Sequence, residues 1–235
     1  MKILVIGGMH GNEPLGIALA DKFLSKPIKG IDAVIANPAA RAINERFVAQ
    51  DLNRSFPGQS DDDNFEVRRA AELIEITKKY DVVLDFHNTT VADNDCSFVG
   101  ESANPELYDI SLFLGLNRVI KADYDCLNKY APNCLSVEVS LSSPLNSANL
   151  WYGLITKLAN TKLTKAENIE IYMFVYRLTL NDKRRLRLGS QQLPSFKPVE
   201  PSMALALGLR PPIYPIFAGD SYTPYNYGGL LERLQ

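Results

Sequence analysis

Three dominantly apolar runs frame the chain: Ile3-Leu4-Val5-Ile6, Val82-Val83-Leu84 and Leu135-Ser136-Val137-Glu138-Val139. Such runs predict inner strands of a parallel sheet, covered on both faces. Helical patterns stand between them. Leu15, Ile17, Ala18, Ala20, Phe23 and Leu24 recur at helical spacing, and Lys26, Pro27 and Gly30 end that helix. Val67, Ala70, Ala71, Leu73, Ile74 and Ile76 give one apolar face to a second helix, predicted over residues 65–79. Further helices are predicted over 106–116 and from about 146 to 163, and a short strand over 32–36, stopped by Asn37-Pro38. Residues 41–54 are polar and aperiodic, 55–63 read as a loop, and 88–105 read as a polar connection.

The pattern changes near residue 165. Glu170 to Thr179 alternates and is β-rich, 186–201 holds prolines and polar residues, and 210–229 is dense in Pro, Tyr and Gly. Strand–helix alternation followed by a β-rich tail predicts an α/β fold, a mostly parallel sheet with flanking helices. The expected division is a catalytic unit over residues 1–164 and a small C-terminal β-rich domain over 165–235.

Composition adds limits. The chain has 235 residues, enough for one full core or one domain with an appendage. Apolar residues are 46%, charged residues 22% and the formal charge is -2, which gives no electrostatic case for a nucleic-acid partner. No apolar run reaches the length of a membrane span and no signal peptide is visible, so no membrane partner is expected. Cys96, Cys126 and Cys134 are an odd set without paired spacing, which points to a reduced, cytoplasmic protein. Composition leaves open whether the chain forms a homo-oligomer.

The candidate chemistry gathers at strand ends. The sequence holds only two histidines, His10 and His87, and each follows a predicted inner strand. His10 sits with Glu13 in the turn Gly7-Gly8-Met9-His10-Gly11-Asn12-Glu13-Pro14, where Pro14 suits the first turn of a helix. The carboxyl edge of an open α/β sheet is where sites usually lie. Two imidazoles and one carboxylate with a position left open make a catalytic zinc pattern. Asp85, on the strand that leads to His87, is either a second acceptor orienting a histidine or a strand-end cap. In Asp51-Leu52-Asn53-Arg54, the arginine offers a planar fork for a carboxylate, and Arg46 can reach a developing oxyanion. Asp51 reads as an internal partner for these cations. Glu138 lies in an otherwise apolar run: alternation with Val137 and Val139 permits a solvent-facing residue, and the other reading is a general base whose pKa is raised by partial burial.

These residues carry a resemblance. Gly-Gly-Met-His10-Gly-Asn-Glu13, Asp51-Leu-Asn53-Arg54, Asp85-Phe-His87-Asn-Thr-Thr, Val137-Glu138-Val139 and Ile213-Tyr-Pro-Ile-Phe217 occur in the order and approximate spacing of one family. The chain resembles the aspartoacylase and succinylglutamate desuccinylase family of zinc amidohydrolases, closer to the aspartoacylase branch. The resemblance implies a carboxypeptidase-like α/β domain, a C-terminal domain narrowing the entrance, and hydrolysis of the amide in a small N-acyl amino acid. It implies one zinc ion held by His10, Glu13 and His87, Glu138 as general base and then acid, and Arg46 on the oxyanion. Asn53 and Arg54 would anchor carboxylates, with Tyr222 completing the pocket and Tyr124 as a second tyrosine match. One departure stands out. The branch has an arginine about ten residues before the catalytic glutamate, whereas this chain reads Leu127-Asn128-Lys129-Tyr130 there, with Lys129 as the nearby cation. Ser140-Leu141-Ser142-Ser143 also lacks the family's glycine and glutamine pattern. A zinc exopeptidase on the same scaffold and a non-catalytic protein that keeps the metal remain the alternatives. The glycine spacing is not that of a nucleotide loop.

Overall fold

The computed structural model describes residues 1–165, 167–188, 193–221 and 226–234. The strands are β1 (Ile3–Gly7), β2 (Ile31–Ile35), β3 (Val82–Thr89), β4 (Cys96–Val99), β5 (Arg118–Lys121), β6 (Cys134–Ser140), β7 (Glu170–Thr179), β8 (Tyr214–Ile216) and β9 (Asn226–Arg233). The helices are α1 (Pro14–Ser25), α2 (Pro38–Ile43), α3 (Phe65–Thr77), α4 (Glu106–Phe113), α5 (Leu127–Tyr130), α6 (Ala148–Leu158), α7 (Leu180–Arg185) and α8 (Pro201–Ala206), with a 3-10 turn at Leu52–Arg54. Among the described residues the strands form one sheet, ordered β2-β1-β3-β6-β4-β5-β7-β9-β8. Pairing is parallel from β2 through β1 and β3 to β6, and again from β4 through β5 to β7. It is antiparallel between β6 and β4, and from β7 through β9 to β8. The architecture is therefore the mostly parallel α/β sheet that the apolar runs predict.

Each central strand divides its residues between two layers. Ile3, Val5, Leu84, Phe86, Leu135 and Val137 pack with Leu15, Leu19, Phe23, Trp151 and Ile155 on the side of α1 and α6. Leu4, Ile6, Val83 and Cys134 pack with Leu52, Ala70 and Leu73 on the side of α3. All of β3 is buried, as expected of a central strand covered on both faces. The sheet also explains how α1 comes so close to it. A Cβ on Gly16 would lie 2.7 Å from the Phe86 carbonyl oxygen, so only glycine lets the helix meet β3. Gly8 has φ +67°, a left-handed conformation that glycine adopts without strain, and it turns the chain out of β1.

The sequence and the structure differ in detail. The aperiodic stretch 41–54 contains the end of α2, capped at its start by Asn37, and the 3-10 turn capped by Asp51. The polar connection 88–105 contains β4, and β5 lies between the predicted elements. The predicted helix over 146–163 is confined to Ala148–Leu158, started by the Ser147 side chain. The β-rich tail continues the main sheet through β7, which pairs with β5 in parallel. No helix among the described residues is long and apolar enough to cross a membrane.

Candidate active site

β1 ends in the Gly7-Gly8 turn, which places His10 and Glu13 ahead of α1, with Glu13 at its N-cap and Pro14 at the first helical position. β3 runs beside β1 and carries Asp85 and His87 on one face, two residues apart in a strand of period two. These loops and strand ends meet. Ligand atoms of His10, Glu13 and His87 all lie within 4.8 Å of one another, and all three residues are buried. The Glu13 carboxylate stands between the imidazoles, with Oε1 2.6 Å from His10 Nδ1 and Oε2 3.1 Å from His87 Nδ1.

The far nitrogen of each ring has its own aspartate. His10 Nε2 lies 3.2 Å from Asp51 Oδ1, and His87 Nε2 lies 2.9 Å from Asp85 Oδ2. A carboxylate behind each imidazole fixes ring orientation, an arrangement common behind histidines that hold metals. Asn88 completes the frame: its backbone N–H donates to Glu13 Oε2, its amide donates to the Val139 carbonyl, and its Oδ1 accepts from Leu15 N at the start of α1. Its place right after His87 in the sequence was the available signal for this residue.

Charge is concentrated here and the titrations reflect it. Burial pushes the Glu13 carboxyl up, but His10 and His87 more than reverse this and hold it well below the usual range. Burial likewise opposes the charged form of His87, and the Asp85 and Glu13 carboxylates overcome it, raising the imidazole well above its ordinary value. Buried carboxylate–imidazole contacts of this density favour a shared cation, a proton or a metal ion.

Glu138 stands opposite His87 in the register of β3 and β6. It is half-buried and lines the same cavity. Its carboxyl is pushed up to about 8, chiefly by burial, with His87 and Arg46 opposing and Glu13 and Asp220 adding to the rise. Arg46 reaches the cluster from the loop after α2. Its Nε donates to Asp51 Oδ2 at 3.1 Å, and its Nη1 lies 3.5 Å from Glu13 Oε1. That loop is pinned by buried Glu66 of α3, whose Oε1 accepts from Val48 N and Ala49 N.

Asn53, Arg54 and Tyr124 also line the cavity, with His10, Glu13, Arg46 and Glu138. Among the described residues, the buried Asn53 Oδ1 has no hydrogen-bond partner. Tyr222 lies outside the described residues. Lys129 is turned away: it is paired on the surface with Asp123 and Asp125, at 3.2 Å each. Its neighbour Asn128 is structural, its amide tying the carbonyls of Phe98 and Cys134 together across β4 and β6. Two charged lining residues had no reading in the sequence. Asp220 accepts from the hydroxyls of Thr89 and Thr90, and Arg177 comes from β7. A lone charge in an alternating strand, as at Arg177, carries no sign of which face it takes.

Residues 1–143 match the family model for the succinylglutamate desuccinylase/aspartoacylase catalytic domain. The chain belongs to this family. Within the succinylglutamate desuccinylase/aspartoacylase family, one curated relative is the N-acyl-aromatic-L-amino acid amidohydrolase (carboxylate-forming) of Rattus norvegicus, 36% identical over 123 residues, which is 45% of this chain and 39% of the rat protein. Another is a probable aspartoacylase of Prochlorococcus marinus (strain NATL2A), 34% identical over 114 residues, 42% of this chain and 37% of that protein. The matched stretch thus spans about two fifths of these relatives' length. Among solved structures, the succinylglutamate desuccinylase from Chromobacterium violaceum superposes with a TM-score of 0.76 at 16% identity, over 99% of this chain and 84% of that one. Murine aminoacylase 3 does so with a TM-score of 0.69 at 20% identity, over 100% of this chain and 95% of that one. At those identities the family members share the fold.

Proposed function

We propose that the protein hydrolyses the amide bond of a small N-acyl amino acid to a carboxylate and a free amino acid, using one zinc ion held by His10, Glu13 and His87. The observation that carries this reading is the convergence of those three buried side chains beside a fourth group, Glu138, which has no hydrogen-bond or ion-pair partner among the described residues. The donor set fits zinc: two imidazole nitrogens and one carboxylate, each imidazole backed by an aspartate, leave a coordination position for chemistry. Bound by those three residues, zinc would supply Lewis acidity to the site.

The rest falls to the chain's own residues. Glu138 takes a proton from the water as it attacks the acyl carbon, and its raised carboxyl pKa suits a base working near neutrality. Once protonated, it returns that proton to the nitrogen of the departing amine. Arg46, held in place by Asp51, faces the oxygen that gains charge in the tetrahedral transition state. Asn53 and Arg54 bind the amino-acid half, and Tyr124 lines the same cavity with its ring under the Arg54 guanidinium. The activity of the rat relative, an N-acyl-aromatic-L-amino acid amidohydrolase (carboxylate-forming), supports the reaction class.

Glu138→Gln tests the assignment. Amine release from N-acetyl, N-formyl and N-succinyl amino acids should fall by about 10²–10⁴, while the metal content of the purified protein stays at one per chain. Turnover at the wild-type rate would remove Glu138 from the reaction. A parallel peptide panel separates this activity from that of an exopeptidase.

A further inference from the structure

The cavity has a second charged corner, apart from the imidazole cluster. Arg54 enters it from the 3-10 turn and Arg177 from β7. Their guanidinium carbons lie 4.9 and 5.7 Å from the centre of the Tyr124 ring. Phe174 meets the same ring edge-on at 5.6 Å, so the tyrosine is a fixed platform under both cations.

Neither guanidinium is paired with a carboxylate among the described residues, although Arg54 donates to the Asn53 carbonyl at 2.7 Å. Asp51 is near enough to influence both arginines. Its oxygens are already in use: Oδ1 faces His10 and accepts from Asn53 N, and Oδ2 accepts from Arg46. The neighbouring strand supplies no counter-charge either. Arg177 stands opposite Gly229 in the β7–β9 register, followed by Gly228. A Cβ on Gly229 would lie 2.4 Å from the Phe174 ring, so the position opposite Arg177 is kept free of any side chain. Arg54 depresses the pKa of Arg177, second only to burial, as expected of like charges left close together. Repulsion of this kind is relieved when an anion joins the pair. Two planar forks lining one cavity beside the same ring suit a carboxylate, whose two oxygens take several N–H donors.

We propose that Arg177 acts with Arg54 to bind the free carboxylate of the amino-acid half of the substrate, which makes Arg177 a specificity-determining residue. This rests on the amide-hydrolysis reading for the identity of the anion and on the geometry of the corner for its existence. A β7 residue thus sets the requirement for a free acid, while the metal cluster and Glu138 act on the amide.

The test compares wild type, Arg177→Ala and Arg177→Lys as full-length, metal-loaded proteins. Substrates are N-acetyl amino acids and the same compounds blocked as α-carboxamides. Arg177→Ala should raise KM for the free acids about 10- to 100-fold, the loss of one charge-assisted contact, and leave kcat within about threefold. KM for the carboxamides should change less than about twofold, and lysine should restore part of the loss, as a charge without the fork. Equal effects on acids and carboxamides, or no effect on acids, overturn the proposal. Calorimetric titration with L-phenylalanine and L-aspartate, which cannot turn over, gives a readout independent of catalysis. Binding that weakens in Arg177→Ala alongside no hydrolysis by wild type would sink the hydrolase reading and keep the anion corner. Hydrolysis with Arg177-independent kinetics and binding would do the reverse. Absence of product binding to wild type also overturns the corner.

Discussion

Asp51 accepts from Arg46 and faces His10, so one carboxylate serves both the candidate metal cluster and the arginine next to it. Burial raises the cost of its charge, but His10, Arg46 and Arg54 outweigh that cost and hold its pKa far below the ordinary 3.8. A carboxyl depressed in the folded state contributes stability above its unfolded pKa, and that contribution is lost as pH falls through the folded pKa. Asp51→Asn in the chelator-treated protein should therefore lower Tm at neutral pH by roughly 2–8 °C, corresponding to about 1–2 kcal/mol. The gap to wild type should narrow as pH falls below about 4. Thermal melts from about pH 7 to about pH 3 check this, and a gap independent of pH would show that Asp51 acts through packing alone. At this scale the sequence was informative where residues were rare. Two histidines in the whole chain, each after an apolar run, mark the cluster without a structure. Arg177 and Asp220 stayed hidden because common charged residues give no sign of which distant element they face.

At the scale of elements, α1 and α6 pose opposite cases for one substitution. Alanine is a better helix former than glycine by about 1 kcal/mol. In α6, a Cβ on Gly153 meets nothing within 4 Å. In α1, a Cβ on Gly16 would meet the Phe86 carbonyl oxygen at 2.7 Å and Gly7 Cα at 3.1 Å. Gly153→Ala should thus stabilise by up to about 1 kcal/mol, and Gly16→Ala should destabilise by about 1–3 kcal/mol through overpacking. Urea unfolding of both variants measures the signs, and a stabilised Gly16→Ala would mean that α1 can lift from β3 without cost. The elements legible in the sequence were those that showed a period, an apolar run or a clear stop: α1, α3, α4, α6, β1, β2, β3, β6 and β7. β4 and β5 are four residues each, and β5 has charged residues at both ends, so neither carries enough period to be told from a loop. α2 and the 3-10 turn were missed for the same reason, though their caps, Asn37 and Asp51, are visible once the geometry is known.

Across the whole molecule, the C-terminal strands extend the central sheet and line part of the cavity through Phe174, Arg177, Gly228 and Gly229. β7 covers the edge of β5, and Phe98, Ile120 and Ala122 share a core cluster with Tyr172, Ile216 and Leu231. A fragment ending at residue 164 would expose that edge and half of that cluster. An uncovered edge beside apolar surface is a template for association. The fragment should elute as aggregate or higher oligomer in size-exclusion chromatography, whatever the oligomeric state of the full chain, and a fragment that matched the full chain in oligomeric state and cooperative unfolding would overturn this. The change of character near residue 165 was plain in the sequence. That the tail would join the sheet through a parallel partner was not, because strand pairing between distant segments leaves no local trace.

His87 and Glu138 stand opposite each other on adjacent parallel strands. Their backbones are therefore set apart by the repeat of the sheet itself, about 4.8 Å. The remaining walls of the cavity come largely from loops, turns and the C-terminal strands, which can change with little disturbance to that spacing. Substrate preference can drift among relatives of this fold while the reacting groups keep their separation, much as a lock can be rekeyed without recasting its body.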